Sequence, residues 1–547
     1  MFDFTKHVST RLRLLATPQA EPIPGTTQVP NSATGFAWAV DHWTRLDRFL
    51  VLGAEGGTFY VGERELTRES ASAVITALAE DGARVVRRTV EISESGRAPK
   101  NDPALFVLAM AAGLGDAATR AVALASLERV ARTGTHLFHW LQYVKAFRGW
   151  GRGVRTAVGR WYTGKSPGDL AYQLLKYQSR DGWAHRDALR IAHPKAPSSE
   201  HDALFRFATR GWEAIAGLEA MRTDVGARLE AVQAIRQMSP DEAARVIRIY
   251  KLTREMVPTE LLSRPIVWHA LLDGMPLTAL IRNLGVMTKV GLLVPGSEAT
   301  RAVVARLGDR AAIRRARVHP LAVLAALKTY AQGAGMRGQN TWTPNAQVID
   351  ALDGAFYLAF ENVAPTGKRV LLALDVSGSM QSPVHAMPYL SCREASAAMA
   401  LVTAATEPQH RFVAFTNGGY RSMWGMLGSG LTPLSISPRQ RLDDVVQSIS
   451  NLPFGGTDCA LPMVEALKHR WEVDAFVVYT DSETWAGDIH PAQALRQYRE
   501  RMSIAAKLVV VAMTSNGFSI ADPDDAGMLD VVGFDTATPQ VISDFIG

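Results

Sequence analysis

Arg369-Val-Leu-Leu-Ala-Leu-Asp375-Val-Ser377-Gly378-Ser379-Met380 decides the fold of the C-terminal third of the chain. Its first half, Arg369–Leu374, is a short apolar run of the kind that forms a strand buried on both faces. Four more such runs follow, at Arg411–Phe415, Ala475–Tyr479, Lys507–Met513 and Leu529–Phe534. Between them lie helical stretches near 391–406, 440–450, 460–470 and 491–504. Strands that alternate with helices predict a parallel sheet covered on both sides, a doubly wound α/β domain.

Upstream the periodicity is different. Ser70–Glu80, Pro103–Ala112, Ala117–Ala131, Val225–Met238 and Pro320–Ala331 place apolar residues three and four apart. The breaks between helices are short, such as Gly113-Leu114-Gly115 and Ser239-Pro240, which makes successive helices antiparallel neighbours. Ser239-Pro240-Asp241-Glu242 reads as an N-cap, a first-turn proline and two first-turn acids. Many amphipathic helices joined by tight turns predict an α-solenoid of irregular repeats. The change of pattern at Ala364-Pro-Thr-Gly-Lys368 divides the chain into residues 1–364 and 365–547, with an irregular, proline-rich arm at 17–35.

Composition narrows the function classes. The 547 residues are 47% hydrophobic and 20% charged, which excludes a mostly disordered chain. The longest uncharged apolar stretch, Pro103 to Gly115, is too short to span a bilayer. The first residues, Met1 to His7, mix acid and base and do not read as a secretion signal. Cys392 and Cys459 are too few for a disulfide framework, and the expected compartment is reducing cytoplasm. Charge is unevenly spread. Residues 369–547 carry 12 Lys and Arg against 19 Asp and Glu, leaving 47 against 34 in residues 1–368. The basic part suits a polyanion.

Oxygen-bearing side chains gather where the strands of the α/β domain end. Asp375, Ser377 and Ser379 follow the first strand, Gly455-Gly456-Thr457-Asp458 forms a loop, and Asp481-Ser482-Glu483 follows the strand Phe476–Thr480. A site without imidazole or thiolate suits a hard divalent cation, Mg²⁺ or Mn²⁺. The set Asp375, Ser377, Ser379, Thr457 and Asp481 resembles the metal-ion-dependent adhesion site of von Willebrand factor A domains, D-x-S-x-S followed by a distant Thr and Asp. That resemblance implies that the two serines bind the metal directly.

Residues 145–195 hold seven Arg and four Lys against three Asp, with Trp150, Trp161, Tyr162, Tyr172, Tyr177 and Trp183 interleaved. Cations can neutralise phosphates and aromatic rings can stack on unpaired bases. Most of these aromatics read as core, whereas the charges, short of acidic partners, read as a binding face. The run Gly149-Trp-Gly-Arg152 … Trp161-Tyr162 … Lys176-Tyr-Gln-Ser-Arg180-Asp-Gly-Trp183-Ala-His185-Arg-Asp-Ala-Leu-Arg190-Ile-Ala-His193-Pro-Lys195-Ala196-Pro197 is similar to the TROVE module of the Ro autoantigen family. The order of domains is similar too. One departure is visible, the extra Ala196 before Pro197.

The resemblance implies a bacterial member of that family. It implies a HEAT-like helical solenoid closed into a monomeric ring by the A domain, with a basic central hole. A small structured non-coding RNA (a Y RNA) would bind the outer surface through Lys176, Arg180, His185, Arg186, Arg190, His193 and Lys195. Single-stranded ends of misfolded RNA would enter the hole, where we expect Arg148, Arg152, Arg155 and Arg160. The expected role is a non-enzymatic scaffold for RNA quality control, with no membrane partner. An exoribonuclease partner would make functional sense, though no residue announces one. The alternative reading is a metal-dependent protein-ligand binder acting through the A domain. A Mg²⁺-dependent nuclease is disfavoured, because Glu483 is the only spare acid near the site and no general base is evident.

Overall fold

A computed structural model describes residues 16–52 and 71–547, except 99, 319, 336–339, 360–364, 385–386, 417–429, 438–439, 451, 453–454, 514–516 and 533–537. The N-terminal residues read above as lacking a secretion signal lie outside the described residues. From His42–Leu52 to Ala346–Leu358 the chain is helix after helix. Neighbours in sequence pack on one another, as Ser72–Ser95 does on Asp102–Leu114 and Pro320–Ala331 on Ala346–Leu358. Helix starts follow the side-chain rules. Ser239 caps Pro240–Tyr250 by accepting from the Glu242 amide, and the Glu242 carboxylate accepts from the Ser239 amide at 2.9 Å. Every residue from Pro103 to Ala112 is buried, so the apolar stretch is a core helix wrapped by others. Among the described residues no helix is long and apolar enough to cross a membrane.

The C-terminal sheet has six strands, in the order Met528–Val532, Lys507–Ala512, Ala475–Thr480, Val370–Asp375, His410–Phe415, Leu431–Leu434. The first five are parallel, and the edge strand Leu431–Leu434, which the sequence reading missed, is antiparallel. Alternate residues face opposite layers. Leu371, Phe476, Val478 and Leu508 enter one apolar cluster, while Leu372, Val477, Tyr479 and Val509 enter another that is continuous with the interior of the helical array.

The arm at 17–35 is more ordered than its prolines and glycines suggest. Gln28–Pro30 pairs with Phe36–Ala39, which pairs in turn with Phe518–Ser519 of the α/β domain. Its side chains are short of apolar residues, so the sequence carried no strand signal; the order comes from backbone pairing with a distant segment. Ser179–Arg180 and Trp183–Ala184 form a second unpredicted element, a hairpin turning through Asp181 and Gly182, both at positive φ.

The α/β domain touches both ends of the array. At the first helix, the fully buried Arg48 donates to both Asp530 carboxylate oxygens, at 2.6 and 2.7 Å, and to the Phe518 carbonyl at 2.9 Å. At the last helices, Lys328 pairs with Glu394, Arg441 with Asp350, and the Tyr357 hydroxyl donates to the Gln440 carbonyl. Replacing Arg48 alone leaves the Asp530 carboxylate without its counter-charge. Arg48→Met is expected to cost about 3–5 kcal/mol in urea unfolding. The double variant Arg48→Met/Asp530→Leu should recover a large part of that loss. Equal stability of wild type and Arg48→Met would remove this pair from its structural role.

Candidate functional site

The strand order reverses between Val370–Asp375 and Ala475–Thr480, and in such sheets the crevice beyond the carboxyl ends at the reversal is where ligands bind. Asp375 ends the first of these strands and Asp481 follows the second, so the two carboxylates face each other across the reversal. The Ser377 amide donates to Asp375 Oδ1 at 2.9 Å, and the Thr480 hydroxyl donates to Asp375 Oδ2 at 2.7 Å. Ser377 Oγ and Ser379 Oγ lie 3.0 Å apart. Thr457 is fully buried, and its hydroxyl has no hydrogen-bond partner among the described residues.

Electrostatics gives the site its character. Burial, helped by Asp375 and Glu483, pushes the Asp481 carboxyl up to about 8, and burial raises Asp375 as well. The buried Arg393 guanidinium sits behind the loop, donating to the Val376 and Ser377 carbonyls at 2.6 and 3.1 Å. Three buried carboxylates against one guanidinium leave a formal deficit of two positive charges. Among the described residues no cluster of three His, Cys, Asp or Glu forms a metal site; the site offers two carboxylates and three hydroxyls instead. The charge deficit, the paired serine hydroxyls and the unpartnered Thr457 hydroxyl fit Mg²⁺ or Mn²⁺. Glu483 is not a free base: its Oε2 accepts from the Ser32 and Ala33 amides of the N-terminal arm, at 2.9 and 3.1 Å.

In the helical part, Arg180, Arg186, Arg190, His193 and Lys195 are exposed and Lys176 is half-buried, its Nζ donating to the Tyr172 hydroxyl at 2.8 Å. Arg186 and Arg190 share one face of the helix His185–Ala192. His185 departs from expectation. It is buried, its Nδ1 is 2.8 Å from the Tyr162 hydroxyl, and burial pulls it down to about 4. The structure thus places the His185 ring in the core beneath its helix, with no surface for an outer ligand, unlike the other residues of the expected stripe. Trp161 and Tyr162 are buried, as core aromatics should be.

An open cavity of about 990 Å³ lies between the helices around 92–139 and those around 278–342. Lys100, Arg132, Arg282 and Arg317 line it, and Asp102 is the one acid among the described lining residues. Burial and the neighbouring Arg317 lower Arg132, and burial with Arg132 brings His136 down to about 4. Arg148, Arg152, Arg155 and Arg160 are exposed and do not line this cavity. Arg148 ends the helix Gly134–Phe147, whose first turn carries His136; twelve residues at 1.5 Å each set the two about 18 Å apart. Local charge density therefore does not mark the residues that line this cavity; Lys100 and Arg132, which do, each stand two residues before a helix start.

A helical array capped at both ends by an α/β domain, which bears an oxygen-rich site at its switch point, defines the class: TROVE-type repeats joined to a von Willebrand factor A domain. The TROVE domain model matches residues 29–238 and 238–329, and the Ro60 vWA domain model matches residues 369–546. The chain belongs to the Ro family. It is 43% identical over 543 residues to a Deinococcus radiodurans protein described as RNA-binding protein RO60, covering 99% of each chain. It is 37% identical to the Caenorhabditis elegans RNA-binding protein RO60, covering 95% of this chain and 90% of that one. The crystal structure of the D. radiodurans RO (RSR) protein superposes with a TM-score of 0.70 at 42% identity, over 92% of this chain and 99% of that one.

A cation entering this site would compete with a proton on the raised Asp481. Below about pH 8 the metal-free carboxyl is protonated, so uptake should release close to one proton and affinity should climb with pH until about 8. Titration calorimetry with Mn²⁺ at pH 7 should give different enthalpies in Pipes and Tris, buffers of unlike ionisation heat. Identical enthalpies would contradict the shared-proton picture.

Proposed function

We propose that this protein is an RNA-binding scaffold, without catalytic activity of its own, that serves small-RNA function and RNA quality control. The observation that carries the reading is end-to-end similarity, in both domains, to proteins described as RNA-binding, combined with a cavity wall of four cations and one acid. Arg132 and Arg317 crowd each other with Glu94, already paired to Arg129, as the acid near both, an arrangement that an incoming phosphate relieves. Contacts from the A domain to both ends of the array support a closed ring around that cavity.

In this reading a structured small RNA, Y RNA-like, docks on the exposed stripe of Arg180, Arg186, Arg190, His193 and Lys195, with Lys176 at its edge. Single-stranded RNA ends enter the cavity and meet Lys100, Arg132, Arg282 and Arg317. Contacts to phosphate carry no base information, which suits a protein that must accept many defective RNAs. The A domain holds one Mg²⁺ or Mn²⁺ through Asp375, Ser377, Ser379, Thr457 and Asp481, and the ion supplies a coordination position for an oxygen ligand.

Binding of a duplex with a 3′ single-stranded tail should exceed binding of the blunt duplex at physiological salt. If about four phosphates are neutralised, the log–log salt slope for the tail should lie near −3, from roughly −0.7 per contact. Arg132→Glu/Arg282→Glu should flatten the slope and weaken tail binding while sparing structured RNA; equal affinity for blunt and tailed duplexes would sink the threaded-end reading. The outer stripe has its own test. Reversal of Arg180, Arg186 and Arg190 to Glu should cost a structured small RNA at least about tenfold in affinity, about 1.4 kcal/mol or more in all. An unstructured oligomer of the same length should lose less, and equal losses would move the docking site elsewhere.

A further inference from the structure

The candidate metal site draws on three segments, 375–379, the loop 455–458 and the loop that begins at Asp481, and an arm from near the N-terminus binds the last two of them. We propose that Gln19 is a positioning residue of the metal site, and that the arm around it docks more firmly when the site holds its cation. The proposal rests on the metal reading given above and adds a residue and a linkage to it.

Gln19 is fully buried, and its carboxamide spans the gap between the loops. Nε2 donates to Asp458 Oδ1 at 2.7 Å and to the Ile489 carbonyl at 2.8 Å, while Oε1 accepts from the Thr484 hydroxyl. Its backbone amide donates to the Gly487 carbonyl at 2.8 Å. One side chain thus ties the neighbour of Thr457 to the loop that begins at Asp481. The rest of the arm repeats the grip. Asn31 Nδ2 donates to the Thr484 carbonyl at 2.8 Å, and the Ser32 and Ala33 amides hold the buried Glu483 carboxylate, which would otherwise press on Asp481 unshielded. The approach leaves no spare room. A Cβ on Gly35 would stand 1.9 Å from the Thr484 carbonyl oxygen, and one on Gly487 would stand 2.4 Å from Gln19 Nε2.

A divalent cation needs Thr457 and Asp481 at one separation, and Gln19 bears on that separation from outside. Two ligands that favour the same arrangement stabilise each other by the same factor, so an arm that helps the cation must be helped by it. A merely structural arm would dock equally well with or without metal. The two cases differ in hydrogen exchange of the arm itself, a readout that involves no RNA.

The experiment uses the full-length protein. Mn²⁺ binding is followed by the loss of the free-ion electron paramagnetic resonance signal, and amide exchange of peptides within residues 16–40 is followed by mass spectrometry in EDTA and in saturating Mn²⁺. Wild type is expected to bind one Mn²⁺ and to slow exchange in the arm at least about fivefold. Gln19→Met, close in size but unable to bridge the loops, should weaken Mn²⁺ about tenfold and lose the metal-dependent slowing. Asn31→Ala, which removes one contact to the Asp481 loop and the Oδ1 acceptor of the Ala33 and Gly35 amides but leaves the Gln19 bridge, should fall between the two and keeps the test open if Gln19→Met does not fold. Mn²⁺ binding to wild type with unchanged arm exchange, or wild-type Mn²⁺ affinity in either folded variant, overturns the proposal alone. Absence of Mn²⁺ binding in wild type removes the metal reading and this proposal with it.

Discussion

A row of stacked amphipathic helices buries its interior only as far as its two ends, and each end must be covered by something. Here both ends find the same cover. One face of the α/β sheet shares an apolar interior with the helical array, and Arg48 is buried at that junction with the Asp530 carboxylate as its counter-charge. A buried ion pair is a poor source of net stability but a strict judge of alignment, since a misplaced guanidinium there is left desolvated and unpaired. The positions of the cavity and of the candidate metal site both depend on this junction. The cavity exists because the array turns back toward its own beginning, and the metal loops face the arm because that beginning is held against the sheet.

The two parts of the molecule use charge in opposite ways. The helical cavity concentrates cations with one acid among its described lining residues, and Glu94 just behind it offsets Arg132 and Arg317 only in part. The A domain concentrates buried carboxylates around a single guanidinium. Each is unfavourable alone, and in the proposed reading each would be relieved by a ligand of opposite sign: a polyanion in one case, a divalent cation in the other. Such stored imbalance is how a site stays selective without many direct contacts.

Much of this was legible in the residues. The five parallel strands, their intervening helices and the convergence of Asp375, Ser377, Ser379, Thr457 and Asp481 at the carboxyl edge follow from the alternation of patterns, because buried parallel strands leave an unmistakable apolar signature. The arm did not announce itself. Gln28–Pro30 pairs with a strand that pairs with residues near 518, and a pairing over such a distance leaves no local periodicity. The hairpin at Ser179–Ala184 was readable, since Asp181-Gly182 is the strongest short hairpin signal, and it was passed over because the strands are only two residues long. The cavity cations failed to register for a geometric reason. Lys100, Arg132, Arg282 and Arg317 are far apart in sequence and gather only once helices stack, whereas the dense cluster at 145–160 is near in sequence and remote from the cavity. His185 misled because a motif position says nothing about which way a ring faces, and this one turns inward to Tyr162.

The grip of Gln19 on the Ile489 carbonyl closes a separation of 470 residues, and that has a consequence for how the chain is made. At roughly 5–20 residues per second, the arm leaves the ribosome about 20–90 seconds before its partners exist. Throughout that interval the helical array can assemble, but its first helix has no Asp530 to neutralise Arg48 and its arm has no sheet to join. An arm rich in proline and poor in large apolar residues is well suited to waiting, since it offers little for premature contacts to hold. Assembly is therefore ordered by synthesis: the arm and the α/β domain meet last, and the final third of the message determines when the arm finds its place.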